Sequence, residues 1–180
     1  MTTTAFTPQK NNVIEKSFEK LVIHLDELTK NYRLLLDCVR KEKELLISTD
    51  IDKLNANNLL KEDLLYKIKS LDGLRVNYAT ELSIALGLDT QKIRLLEIAQ
   101  KIGGAQADKL RTFHSALELI IKRLTELNQS NAQFAESALK NVNSAMNSFK
   151  DTLMGQKTYQ NKGKYKQGHE KSGHLVRKEA

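Results

Sequence analysis

Residues 14–46 read IEKSFEKLVIHLDELTKNYRLLLDCVRKEKELL, and their apolar positions recur at alternating spacings of four and three residues. The positions on this seam are Ile14, Phe18, Leu21, Leu25, Leu28, Tyr32, Leu35, Val39 and, after Glu42, Leu46. Such spacing, sustained along the whole stretch, is typical of a helix that packs through a coiled-coil seam. The stretch therefore predicts one long first helix over residues 11–47.

A second helix is predicted immediately after the first. Thr49 or Asp50 can supply the N-cap oxygen, and Gly87 is suited to the position after the last helical residue. The predicted helix covers residues 50–86, and its apolar stripe comprises Ile51, Leu54, Leu60, Leu64, Ile68, Leu71, Tyr78, Leu82 and Ala85. Because the link between the two helices is so short, the sequence favours an antiparallel hairpin over one bent rod.

A short third helix is predicted over residues 90–102, with Asp89 or Thr90 as its N-cap. Its apolar residues are Ile93, Leu96, Ile98 and Ile102. The pair Gly103-Gly104 ends this helix because glycine makes helix continuation costly. This pair is expected to act as a hinge or a tight connection.

The fourth helix is the longest, over residues 105–153, and its two halves differ in composition. The seam residues are Leu110, Phe113, Leu117, Ile120, Leu124, Leu127, Asn131, Phe134, Ala138, Val142, Ala145 and Phe149. Residues 110–127 carry bulky aliphatic side chains, whereas residues 128–149 are rich in alanine and asparagine. Each replacement of Leu by Ala or Asn removes roughly 1.5–3 kcal/mol of burial. We therefore expect the second half to be loosely docked and available to a partner.

These elements predict an all-α fold: an elongated antiparallel helical bundle or coiled-coil hairpin with a long C-terminal amphipathic helix. Residues 1–154 are expected to form the helical domain, and residues 155–180 a flexible, disordered basic tail. The tail carries +5 of the net charge of +7, which leaves only +2 for the helical domain. A domain so close to neutral is not expected to bind nucleic acid.

Several functional classes are disfavoured by what the sequence contains. The single Cys38 has no intramolecular disulfide partner, the N-terminal residues do not resemble a secretory signal, and no apolar run approaches the length that spans a bilayer. The histidines His24 and His114 have no metal-ligand spacing around them, and no phosphate-binding loop or nucleophile motif is found. We expect a cytoplasmic binding protein without cofactor or metal, and not an enzyme.

Two polar or aromatic positions have alternative interpretations. Asn131 lies on the seam of the fourth helix, where it either sets the register of a coiled coil or contacts a partner helix. Tyr159 lies beyond the last predicted helix, where no core requires it. An exposed aromatic residue in such a segment is either incidental or a docking anchor.

Two short motifs resemble those of the FlgN-like flagellar export chaperones. They are Leu127-Asn128-Gln129-Ser130-Asn131 and, after a small-residue amphipathic helix, Thr158-Tyr159-Gln160-Asn161-Lys162-Gly163. The order of the elements is similar over nearly the whole chain. Many relatives have glycine directly after the tyrosine, where this chain has Gln160, and Leu153-Met154-Gly155 offers a competing alignment with Met154 in the tyrosine position.

The resemblance implies a chaperone for hook-associated (hook-filament-junction) proteins that prevents their premature assembly and delivers them to the export gate. The implied cargo-binding residues are Asn128, Asn131, Phe134, Ala138, Val142, Met146 and Phe149. The resemblance also implies that Tyr159 docks at the membrane-embedded export gate, with the export ATPase as a further candidate partner.

Two rival functions are compatible with the residues alone. A generic coiled-coil scaffold or adaptor would form a stable self-associated rod with a fully ordered fourth helix. A nucleic-acid-binding protein acting through the tail would bind with a steep dependence on salt. The oligomeric state stays open at this level.

Overall fold

The structure is a computed structural model that describes residues 8–90 and 93–154. These residues form four helices and no strand: α1 (Pro8–Ser48), α2 (Ile51–Leu86), α3 (Leu95–Ile102) and α4 (Gly104–Met154). The predicted all-α fold is confirmed. The predicted tail, with Tyr159, lies outside the described residues. The chain divides into two units, Met1–Gln133 and Phe134–Ala180, and the boundary falls within α4.

In the first unit, α1 and α2 form the antiparallel hairpin that the short link favours. Contacts between them pair early residues of one helix with late residues of the other. The Asn57 Nδ2 donates to the Cys38 backbone oxygen over 3.0 Å, and at the far end the Lys20 Nζ lies 3.9 Å from a Glu81 carboxylate oxygen. The bent-rod alternative is therefore wrong.

The hairpin turn depends on two adjacent residues. Thr49 adopts a left-handed conformation with φ of 58°. Asp50 is the N-cap of α2, and its side chain accepts a hydrogen bond of 3.1 Å from the Lys53 backbone N–H. The Lys53 ammonium also lies 2.7 Å from the same carboxylate. These hydrogen bonds hold the pKa of Asp50 below its usual value.

The core of the first unit consists of two apolar clusters along α1. The first cluster joins all four helices through Ile14, Phe18, Leu21, Val22, Leu25, Ala79, Leu82, Leu86, Ile98, Ala99, Ala107 and Leu110. The second cluster joins α1 and α2 through Leu28, Leu35, Cys38, Leu64, Ile68 and Leu71, with Leu117 and Leu124 of α4 packed against it. Later residues of α4 thus meet later residues of α1, so these two helices run in the same direction. The seam predicted for α1 is confirmed, since all its positions are buried or half-buried.

The stripe predicted for α2 is partly wrong. Ile51 is 65% exposed and Leu60 is 52% exposed, whereas Asn57 is 5% exposed. From Asn57 the inward positions continue with the four-three spacing through Lys61, Leu64, Ile68, Leu71, Arg75, Tyr78 and Leu82. Apolar residues occur on every side of α2, so hydrophobicity alone selects the wrong residues at its N-terminal end.

The predicted start of α3 is also wrong. This helix begins at Leu95, and its N-cap is Arg94 in an extended conformation, not Asp89 or Thr90. Ile93 precedes the helix but still packs against the first apolar cluster. Burial of Ile93 from an extended segment removes the need for an earlier helical turn. The predicted tight connection is confirmed, because Gly103 and Gly104 both have positive φ, 73° and 58°, and α4 begins at Gly104.

Candidate functional site

Exposure along α4 changes abruptly at one residue. Leu110 is fully buried, and the following seam positions up to Leu127 are half-buried. Asn131 is 3% exposed, and every residue from Ala132 to Leu153 is exposed. The predicted difference between the two halves of this helix is confirmed, with the change at Asn131.

Asn131 belongs to a buried polar cluster that connects three helices. Its Nδ2 donates to the Val39 backbone oxygen over 2.9 Å and to the Glu42 Oε2 over 3.1 Å. The other carboxylate oxygen of Glu42 accepts from the Lys61 Nζ over 2.6 Å. Val39 and Glu42 are on α1, Lys61 on α2 and Asn131 on α4, and Asn57 completes the cluster from α2. Both neighbours of the Asn131 amide are acceptors, so only the amide nitrogen can face them.

This geometry bears on the two interpretations of Asn131. Both acceptors of the buried Asn131 amide lie at the same level along α1. Because sliding α4 along the hairpin would break these hydrogen bonds, they fix its register. The Asn131 Oδ1 has no hydrogen-bond partner, nor does the Asn57 Oδ1. Leaving such an oxygen unpaired costs about 1–3 kcal/mol. The position of Asn131 thus corresponds to a register-setting residue, and its side chain is not accessible to a partner in this conformation.

Beyond Asn131, α4 carries a continuous apolar surface that we call the distal stripe. It comprises Ala135, Leu139, Val142, Met146, Phe149 and Leu153, which follow alternating four-three spacings. The five larger side chains are between 55% and 71% exposed. At about 100° per residue they fall within an arc of about 80° on one side of the helix. A solvated stripe of this kind is suited to another helix.

Charge is sparse around the distal stripe. Glu136, Lys140, Lys150 and Asp151 are the ionisable residues between Phe134 and Met154, and their charges cancel. The remaining polar residues in this range are asparagine, serine and threonine. Attraction at this surface therefore depends on apolar burial and on the few charges at its edges.

The predicted cargo-binding residues fall into different environments. Asn128 is exposed, and Asn131 is buried in the polar cluster. Val142, Met146 and Phe149 are members of the distal stripe. Phe134 and Ala138 are also exposed, but they continue the seam spacing that precedes Asn131. Tyr159 and the competing alignment at Met154 concern residues whose side chains the structure does not describe.

Sequence reasoning missed two of the most exposed apolar residues. Leu139 is 62% exposed and Leu153 is 71% exposed. The distal stripe has the same alternating four-three spacing as the seam from Leu110 to Asn131, but it is displaced from that seam by one residue. Counting back from Leu153 with this spacing identifies Leu139. Lys61 and Asn57 were missed as well, since polar residues give no signal on an apolar stripe.

The titratable groups of the described residues do not assemble into a reactive site. The His24 Nδ1 lies 2.9 Å from the Lys20 backbone oxygen, and the His24 ring packs on Tyr78. Burial raises the pKa of the Cys38 thiol, which favours its unreactive form. In the described ranges no group of histidine, cysteine and carboxylate side chains could hold a metal ion. None of the helices described combines the length and hydropathy of a membrane span.

Comparison with known proteins gives one match. A family model described as FlgN protein matches residues 17–167. Neither the curated proteins nor the solved structures gave a match. The matched range includes both the buried polar cluster and the distal stripe.

Proposed function

Because this chain belongs to the FlgN family, a family of flagellar export chaperones and not of enzymes, we propose that it binds hook-filament-junction proteins through the distal stripe. Its partners are thus flagellar export substrates, and the terminal helices of hook-associated proteins are the proposed cargo. In the cytoplasm, coverage of those helices prevents premature assembly. The observation that supports this most directly is the unbroken exposure of α4 from Ala132 to Leu153.

The physical basis is helix pairing along the distal stripe. Complete burial of a side chain such as Leu, Met or Phe contributes about 1.5–3 kcal/mol. Five such side chains are available, although ordering a cargo helix offsets much of the gain. The resulting affinity is moderate, which suits a partner that must be released for export.

The buried polar cluster limits the surface that cargo uses. Recruitment of Asn131 by cargo would remove its hydrogen bonds to Val39 and Glu42. A charged acceptor would then lose a partner inside the bundle, at a cost of about 1.5–3 kcal/mol. We propose that cargo contacts start after Asn131 and include Leu139 and Leu153 with Phe134, Ala138, Val142, Met146 and Phe149. Asn128, which is exposed and seven residues before Ala135, stays a candidate for a separate polar contact.

The test is capture of purified hook-filament-junction proteins by full-length variants. We expect Val142→Glu and Met146→Glu each to weaken capture about tenfold or more, because each buries a charge in the paired stripe. Ser144→Glu introduces the same charge on the opposite side of the helix and is the matched control. Equal capture by all three variants would refute the assignment of the distal stripe.

Delivery to the export gate is proposed to depend on Tyr159. We expect Tyr159→Ala to preserve cargo capture and to weaken recruitment of the chaperone to the gate. Met154→Ala distinguishes the competing alignment in the same recruitment assay. Loss of recruitment with Met154→Ala alone would assign the docking role to Met154.

A further inference from the structure

The distal stripe is complementary to itself when one copy is reversed. Reversal about residue 144 places Val142 opposite Met146 of a second copy, Leu139 opposite Phe149, and Ala135 opposite Leu153. Each pair occurs twice, so all six stripe positions are filled. In every pair a smaller side chain meets a larger one, which is the arrangement that fills a helix interface without voids.

The charges beside the stripe obey the same symmetry. One edge of the distal stripe carries Glu136, Asn143 and Lys150 at intervals of seven residues. Each of them directly follows a stripe residue. In the reversed pair, Glu136 of each copy meets Lys150 of the other, and Asn143 meets its own counterpart. Neither Glu136 nor Lys150 forms an ion pair within the described part of the chain. Both charges are therefore available for this contact.

The opposite edge of the distal stripe carries small side chains, which allow a second helix to approach closely. It carries Ala138, Ala145 and Thr152, again at intervals of seven residues. In the reversed pair Ala145 meets Ala145 of the other copy, and Ala138 meets Thr152. Small residues on one edge allow two helices to approach closely over that edge.

We propose that the distal stripe pairs antiparallel with the same stripe of a second copy, in the register that joins Glu136 to Lys150. Parallel pairing places Glu136 against Asn131 and Lys150 against Ala145, so it gains no charge pair. Sliding the antiparallel pair by one heptad sets Leu153 opposite Asn128, which leaves an apolar side chain facing an amide. Both alternative pairings should therefore be less stable than the proposed register.

Self-pairing shields the distal stripe while no other partner is bound. Because both uses need the same side chains, a cargo helix and a second copy exclude one another. This consequence rests on the proposed function, whereas the pairing itself does not. The paired segment is short, about 28 Å at 1.5 Å per residue, so the dimer is expected to dissociate on dilution.

The test is the mass of the full-length chain in solution without cargo. Sedimentation and light scattering from about 1 to 200 µM should show a shift from one chain of 20.4 kDa towards two chains. Glu136→Lys and Lys150→Glu each replace two attractions by two repulsions and should weaken the dimer about tenfold. The double variant reverses both charges and should restore the dimer.

Matched controls change the same charges on the outward surface of α4. Asp151→Lys and Lys140→Glu should leave the dimer unchanged. A chain that stays monomeric at about 200 µM overturns the proposal, as does a double variant no tighter than its two parents. Circular dichroism of each variant verifies that the helices persist.

A covalent readout tests the symmetry independently. In a Cys38→Ala background, Asn143→Cys should form a disulfide-linked dimer under mild oxidation. Asn141→Cys, two residues away on the outward surface, should not. Cross-linking of both positions to the same extent overturns the register, and cross-linking of neither overturns the pairing. Failure of the unaltered chain to capture hook-filament-junction proteins, together with normal dimerisation, would instead refute the proposed function alone.

Discussion

Replacement of Asn131 by aspartate tests whether the buried polar cluster fixes α4 on the hairpin. The change keeps the shape of the side chain but replaces the amide donor by a carboxylate oxygen. That oxygen then faces the Val39 carbonyl and the Glu42 carboxylate, at the present distances of 2.9 and 3.1 Å. Two acceptors lose their donor, and a carboxylate at the buried position 131 becomes a neighbour of the half-buried Glu42 carboxylate.

The size of the effect follows from these contacts. A hydrogen bond to a charged group contributes about 1.5–3 kcal/mol and a neutral one about 0.5–1.5 kcal/mol. With repulsion added, Asn131→Asp should lower the free energy of unfolding by about 3–4 kcal/mol. Asn131→Ala loses the same bonds but also removes the unpaired Oδ1, so its cost should be only about 1 kcal/mol.

Urea unfolding monitored by circular dichroism measures these differences. With a slope of about 2 kcal/mol per molar urea, Asn131→Asp should shift the midpoint by about 1.5–2 M. Two neighbouring carboxylates raise the pKa of at least one of them in the folded state, so the penalty should be complete at neutral pH. It should diminish as the pH falls towards the unfolded pKa of about 4.

Asn128→Asp is the matched control because it makes the same change three residues earlier on an exposed part of α4. Its effect should be within about 0.5 kcal/mol. If Asn131→Asp and Asn131→Ala were equally stable, the donor geometry described above would be incorrect. An equal loss for Asn128→Asp would attribute the effect to helix propensity instead.

Three further predictions concern the hairpin and the exposed half of α4. Thr49→Gly should raise the free energy of unfolding by about 1 kcal/mol in thermal melts, because glycine adopts the left-handed conformation of the turn without strain; Thr49→Ala should give no such gain. Leu25→Ala should cost about 2–5 kcal/mol in urea unfolding since Leu25 is fully buried, whereas the same change at Leu139, 62% exposed, should cost little. Asp50→Asn should flatten the acid limb of the stability–pH curve: Lys53 depresses the pKa of Asp50 in the folded state, so the stabilisation is present above the unfolded pKa and is lost as pH falls through the folded one.

The sequence predicted α1 well because its seam is apolar at nearly every position from Ile14 to Leu46. The same reasoning was incorrect for α2, where Leu60 is as apolar as any core residue but lies outside the four-three spacing that Asn57 begins. An inward-facing asparagine carries no hydrophobic signal, so only the geometry of packing identifies it. The start of α3 was not predicted by the sequence pattern either, since Ile93 is half-buried against the first apolar cluster without being helical.

The candidate site was predictable in outline and not in detail. Alanine and asparagine after Leu127 showed correctly that the end of α4 buries little. The role of Asn131 depends on Glu42, which is 89 residues away in the chain, and spacing within one helix cannot reveal such a partner. Leu139 was missed because the seam was followed through Ala138, one residue from the spacing that the larger side chains obey.

The abrupt change of exposure at Asn131 divides α4 into two segments with different packing constraints. Substitutions before it must satisfy both helix formation and the packing of the bundle. Substitutions from Ala132 to Leu153 need only preserve the helix and the proposed partner surface. Changes of binding specificity in this segment should therefore cost little stability. A chimera that exchanges the segment for the equivalent segment of a relative should keep the bundle intact and acquire the relative's partner.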